Sequence, residues 1–146
     1  MIHVDEALAE REGAFVECLK ARGFRMTPQR LEIVREVARA HDHPDAETLL
    51  RRVRGRVPTL SQDTVYRTLA VLVEEGLVGR VLMPRATRFD PDLDPHHHFI
   101  CDHCGRLVDI GTEVVPPLEI PVVLTGIGDV RSVSLEICGV CDTCRT

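Results

Sequence analysis

Cys101-x-x-Cys104 and Cys141-x-x-Cys144 are two thiol pairs separated by a segment the size of a small core. Four thiolates from two such pairs can close a tetrahedral zinc site with no open position, which is a structural rather than a catalytic arrangement. Cys138 lies three residues before Cys141, so the second pair can also be read as Cys138 and Cys141. Directly upstream of the first pair stand His96, His97 and His98. In a strand, residues two apart share a face, so His96 and His98 can share one ion while His97 points away. Asp109, in the next predicted strand, could supply a carboxylate, and Asp90 stands a few residues upstream of the histidines. The bland alternative is a solvent-facing histidine tract. His41 and His43 read as exposed loop residues, His103 as exposed, and Cys18 as a small core residue.

These residues are unevenly distributed. Of six cysteines and seven histidines, five and four respectively fall in residues 96–146. The longest apolar runs are only a few residues, which predicts neither a membrane span nor a signal peptide, and points to the cytoplasm. In a reducing compartment, metal ligation is a better account of the cysteines than a disulfide framework. The net charge of −5 for 146 residues argues at first against a nucleic-acid partner. It divides into −3 over residues 1–10, +5 over residues 11–88 and −7 over residues 89–146. A basic front and an acidic back suggest two modules with different partners.

The elements that must position these groups can be read from periodicity. Residues 5–21 form an amphipathic helix through Leu8, Phe15 and Leu19, closed by Gly23. Thr27 caps a second helix with Pro28 at its first position and Leu31, Val34, Val37 and Ala38 facing inward. Asp45 caps a third helix carrying Leu49, Leu50 and Val53, and Ser61 a fourth with Val65, Leu69 and Leu72 inward. Gly76 ends it, and Leu77 to Phe89 reads as two strands about a Pro84-Arg85-Ala86 turn. Short strands follow at His96–Ile100, Leu107–Ile110 and Val130–Ile137, while Pro116, Pro117 and Pro121 disfavour a long helix between the last two.

Helices followed by a β-hairpin outline a winged helix-turn-helix domain. The outward face of its fourth helix offers Gln62, Tyr66 and Ala70, with Arg67 beside them, a surface able to reach base edges and phosphates. Arg25, Arg30, Arg80, Arg85 and Arg88 are candidates for contacts to the DNA backbone. The expected organisation is α+β: a winged-helix DNA-binding domain over residues 1–90, a hinge over 91–95, and a metal-binding domain over 96–146.

Five motifs, in order, carry a resemblance to a known family. They are Gly23-Phe24-Arg25-Met26-Thr27-Pro28-Gln29-Arg30, His43-Pro44-Asp45-Ala46, Thr64-Val65-Tyr66-Arg67-Thr68-Leu69, Arg88-Phe89-Asp90, and the histidine strand with its C-x-x-C pairs. Over roughly residues 15–145 the chain resembles the ferric-uptake-regulator (Fur) family of dimeric, metal-responsive repressors. The resemblance implies a small α/β dimerisation domain after the winged helix, a homodimer, and a double-stranded, palindromic operator. It implies structural zinc at Cys101, Cys104, Cys141 and Cys144, and a regulatory iron(II) or manganese(II) site of His43, Asp90, His96, His98 and Asp109. Mixed nitrogen and oxygen donors suit those ions as well as zinc. An aspartate at Asp109 resembles the peroxide-sensing branch, in which peroxide oxidises ligand histidines (here His43 and His96) on the iron form and spares the manganese form. Arg131-Ser132-Val133-Ser134 holds no histidine, so a single regulatory site is expected.

Three other readings are weighed against this one. An iron- or zinc-responsive repressor on the same fold differs by little more than one carboxylate. A metallohydrolase built on three histidines and two aspartates lacks an H-E-x-x-H helix and a nucleophile–base pair, so no enzymatic role is expected. A zinc-ribbon interaction module without a DNA role predicts no salt-dependent DNA affinity.

Overall fold

The computed structural model describes residues 2–130 and 132–146 and divides into two compact units, residues 1–93 and 94–146. The first unit contains α1 (Ile2–Ala21), α2 (Pro28–Arg39), α3 (Ala46–Arg54) and α4 (Gln62–Glu74). A hairpin of β1 (Gly79–Leu82) and β2 (Thr87–Asp90) follows. Phe15, Leu19, Ile33, Val34, Val37, Leu49, Val53, Val65, Leu69 and Leu72 form one buried cluster under all four helices. Leu31, expected inside, is only half-buried, and the fully buried Ile33 takes that place beside Val34 and Val37.

Local chemistry sets the helix ends. The Thr27 hydroxyl accepts from the Arg30 N–H at 3.2 Å, the Asp45 carboxylate from the Thr48 N–H at 2.7 Å, and the Ser61 hydroxyl from the Thr64 N–H at 3.1 Å. Each satisfies one of the donors a helix start leaves open. Gly23 and Gly76 close α1 and α4 with φ of 83° and 72°. After each glycine the next N–H returns to a carbonyl five residues back, Phe24 to Leu19 and Leu77 to Leu72, both at 2.9 Å. That left-handed turn folds the chain back over the helix end. Gly76→Ala has nothing within 4 Å to collide with, so its cost is that of the backbone alone. We expect a loss of about 1–2 kcal/mol, read as a lowered melting temperature; an unchanged melting temperature would show that the turn relaxes.

In the second unit, β3 (His96–Cys101) is the middle strand of a sheet ordered β4-β3-β5. β4 (Leu107–Gly111) pairs antiparallel, with His98 opposite Asp109, and β5 (Glu136–Gly139) pairs parallel, with Cys101 opposite Gly139. A single 3-10 turn (Val122–Gly126) follows the proline-rich stretch, and a short α5 (Asp142–Arg145), not anticipated from the sequence, holds the last cysteine. The mixture of helix and strand is the expected α+β class.

The last strand is shorter than expected. It begins at Glu136, Val130 and residues 132–135 carry no strand, and Arg131 lies outside the described residues. The cause is a competing bond: the Leu135 N–H donates to Nδ1 of the buried His97 at 2.9 Å, while the Leu135 carbonyl accepts from the His98 N–H. A side chain has taken the donor that would have extended the ladder.

Candidate metal centres and nucleic-acid face

Cys101 ends β3, Cys104 lies in the turn that follows, Cys141 stands just after β5 and Cys144 sits on α5. Their four sulfurs lie within 4.8 Å of one another. Cys104 Sγ and Cys141 Sγ are 3.8 Å apart, matching the separation of about 3.8 Å between sulfurs bound tetrahedrally at about 2.3 Å. The donor set therefore fits a closed zinc site. Cys138 is exposed and lies outside this cluster. Gly105 makes the turn possible: at φ 76° its N–H returns to the Cys101 carbonyl at 2.9 Å.

The electrostatics of the four thiols point the same way. The Cys104 and Cys141 N–H groups approach the Cys101 sulfur at 3.5 and 3.3 Å and pull its thiol down to about 6. The Cys141 thiol is lowered as well, chiefly by a backbone N–H from Cys144. The Cys144 thiol is pushed up to about 12, first because its proton is shared with Cys141. Four thiolates this close repel one another unless a cation lies among them.

A second cluster in the same unit uses strand geometry. His96 and His98 share a face of β3, and Asp109 sits opposite His98 on β4. Their Nε2 atoms are 3.1 Å apart, and Asp109 Oδ1 lies 3.3 Å from His98 Nε2 and 3.6 Å from His96 Nε2. Two imidazoles bound at about 2.1 Å and at right angles would stand about 3 Å apart. His96 Nδ1 donates to the Asp94 carbonyl at 2.6 Å. That bond fixes the tautomer and leaves the Nε2 lone pair facing inward.

The first unit holds a histidine–carboxylate pair. His43 Nε2 lies 3.3 Å from Asp90 Oδ2, and both residues are about 5% exposed. The expectation of an exposed loop thus holds for His41 and fails for His43. The difference lies in the backbone, because His43 has φ of 50° and turns inward before Pro44. His103 is exposed, as expected, and Cys18 packs against the helical core.

The DNA candidates also fall on the first unit. Gln62, Tyr66 and Arg67 are exposed on α4, Arg25 is exposed ahead of α2, and Arg85 is exposed at the hairpin turn. Tyr66, Arg80 and Arg85 line one groove of about 710 Å³ between α4 and the hairpin. Two features were not legible from periodicity. The guanidinium groups of Arg30 and Arg67 lie 5.0 and 5.8 Å from the centroid of the Phe24 ring, so this ring is a platform for two cations. Arg88, expected among the backbone contacts of the wing, instead directs its guanidinium at the carbonyls of Asp42 and His43.

A four-helix winged unit and a small sheet unit with paired thiols and a His/Asp cluster define the class of metal-binding, winged-helix proteins. The family model described as "Ferric uptake regulator family" matches residues 21–122, and the chain belongs to that family. It is 38% identical over 133 residues to the peroxide operon regulator of Bacillus subtilis (strain 168), covering 88% of this chain and 90% of that protein. Among solved structures, the Campylobacter jejuni peroxide stress regulator is 28% identical with a TM-score of 0.68, over 88% of this chain and 98% of that one. The Helicobacter pylori ferric uptake regulator Fur shares the fold with a TM-score of 0.75 at 21% identity, over 95% and 94%.

Proposed function

We propose that this chain is a cytoplasmic, metal-dependent DNA-binding repressor that releases its operator in response to hydrogen peroxide. The convergence of His96, His98 and Asp109, in a chain 38% identical to a peroxide operon regulator, carries the reading. Cys101, Cys104, Cys141 and Cys144 hold structural zinc. His43 and Asp90 from the first unit join His96, His98 and Asp109 from the second as ligands of one iron(II) or manganese(II) ion. Such a ligand set favours one arrangement of the two units, and that differential affinity couples metal to DNA. Held by these residues, iron(II) would supply the redox chemistry that splits hydrogen peroxide, with one oxygen added to a ring carbon of His43 or His96 and the other leaving as water. Six free cysteines suit a reducing compartment.

The first unit reads DNA through Gln62, Tyr66 and Arg67 on α4, with Arg25 and Arg85 on the phosphates. The second unit joins two copies of the chain. Val114, Ile120, Val122, Ile127 and Val140 are exposed there, apolar side chains that a second copy would cover. Two-fold symmetry favours a palindromic operator.

Operator binding measured with iron(II), manganese(II) or zinc(II), before and after peroxide, tests the reading. DNA affinity should require metal, fall steeply as salt rises, and be lost after peroxide only with iron. Unchanged affinity of the iron form after peroxide would overturn peroxide sensing in favour of a repressor that answers iron or zinc supply. On the DNA face, Tyr66→Ala and Arg67→Ala should each cost about 1–3 kcal/mol of operator preference while sparing nonspecific binding. Equal losses on operator and random DNA would remove them from base readout.

A further inference from the structure

His43 stands in a backbone conformation that its sequence disfavours. Among the described residues it is the one non-glycine with positive φ, at 50°. It also precedes Pro44, a position normally driven to extended backbone. Such a conformation persists only where its surroundings over-determine it. Three of the hydrogen bonds that hold this loop come from β2. The Arg88 Nε–H donates to the His43 carbonyl and an Nη2–H to the Asp42 carbonyl at 2.9 Å. The Phe89 N–H donates to the Pro44 carbonyl at 3.0 Å, and Asp45 bridges to Arg88. From α3, Arg52 makes a two-point contact with the Asp42 carboxylate.

Asp90 is two residues beyond Arg88 on the same strand, so both project from one face of β2. One residue grips the main chain of the loop, and the other meets the imidazole that this main chain presents, at 3.3 Å. We propose that Arg88 is a positioning residue for the metal site, holding His43 in its left-handed backbone so that the imidazole reaches Asp90. The planar fork of the guanidinium is what allows two successive carbonyls to be held together. This rests on the reading of His43 and Asp90 as ligands. The same grip turns the Nε–H and one Nη2–H of Arg88 toward the loop rather than toward a phosphate.

The test is manganese(II) titration of the full-length, zinc-loaded protein by calorimetry, comparing the unsubstituted chain with Arg88→Ala and Arg88→Lys. Arg88→Ala should weaken manganese binding by about 10–100-fold with zinc content retained. Arg88→Lys, able to donate but not as a fork, should recover only part. Backbone chemical shifts of His43 in the zinc-loaded, manganese-free Arg88→Ala variant should lose their left-handed signature. At saturating manganese the dependence of DNA affinity on salt should match the unsubstituted chain. Unchanged manganese affinity in Arg88→Ala overturns the proposal. So does a salt dependence reduced by about one phosphate contact with manganese affinity intact. Should Arg88→Ala fail to fold, Arg88→Lys carries the comparison: weakened manganese binding at an unchanged melting temperature supports the proposal, and unchanged binding overturns it. If the unsubstituted chain takes up no manganese beside its zinc, the metal-site reading itself falls, before any variant is compared.

Discussion

Replacing Cys141 by Ser should unfold residues 94–146 while α2 to α4 keep their protection from hydrogen exchange. Within one chain, the second unit has little else to hold it. Ile100, Cys101, Cys141, His97 and His98 are its buried residues among those described, and one fully buried isoleucine contributes only about 1.5–3 kcal/mol. Ordering costs about 1–2 kcal/mol for each residue's backbone. A tetrathiolate zinc site is worth on the order of 10–16 kcal/mol at neutral pH, which is the scale needed. Cys141 is the right residue to remove, because its sulfur lies 3.8 Å from that of Cys104 and its N–H approaches the Cys101 sulfur. Exchange followed by mass spectrometry on the full chain reads both units at once. Retained protection at Phe99 and Ile100 in the zinc-free variant would show that the sheet stands without the ion.

The second large effect concerns peroxide. The iron-loaded protein should gain the mass of one oxygen on His43 or His96, and the manganese-loaded protein none. Operator affinity should then fall toward nonspecific binding, on the order of 10³-fold. The geometry bears on access. Asp109 is 44% exposed at its side chain, against 12% for His96 and 9% for His98, so the Asp109 side is where we expect a small oxidant to approach these three residues. His96 lies on that side, and the Nδ1 bond to Asp94 leaves its Nε2 as the nitrogen that faces His98 and Asp109. Under the proposed function, oxidation there would remove a donor from the ligand set and with it the metal's preference for one arrangement of the chain. Peptide mapping after peroxide checks the claim. Oxidation confined to methionine and cysteine in the iron form would remove the histidines from the mechanism.

Much of this architecture was written in local chemistry. Thr27, Asp45 and Ser61 marked helix starts because a side-chain oxygen satisfies a donor three residues on, wherever the helix later packs. The cysteine pairs were legible because their spacing alone suits one ion, although spacing left Cys138 open and it was the family resemblance that pointed to Cys144. What escaped depends on partners distant in sequence. Nothing near His97 tells that its ring takes the Leu135 N–H across 38 residues and so shortens β5. Nothing near His43 tells that Arg88, 45 residues away, keeps it buried. An arginine on a wing looks like a phosphate ligand until its donors are traced.

The separation of the two thiol pairs has a kinetic consequence. Each C-x-x-C is a local chelate, whereas Cys104 and Cys141 stand 37 residues apart. Closing that loop costs about 2 kcal/mol more entropy than closing one pair, and it must be paid before the parallel β3–β5 contacts repay it. The β3–β4 hairpin, joined by the short turn at Gly105, forms without that cost. Cys101 and Cys104 would therefore hold a zinc ion before the distant pair could complete its site. The slow step of assembly is then expected to be the chain search that brings Cys141 and Cys144 to the hairpin.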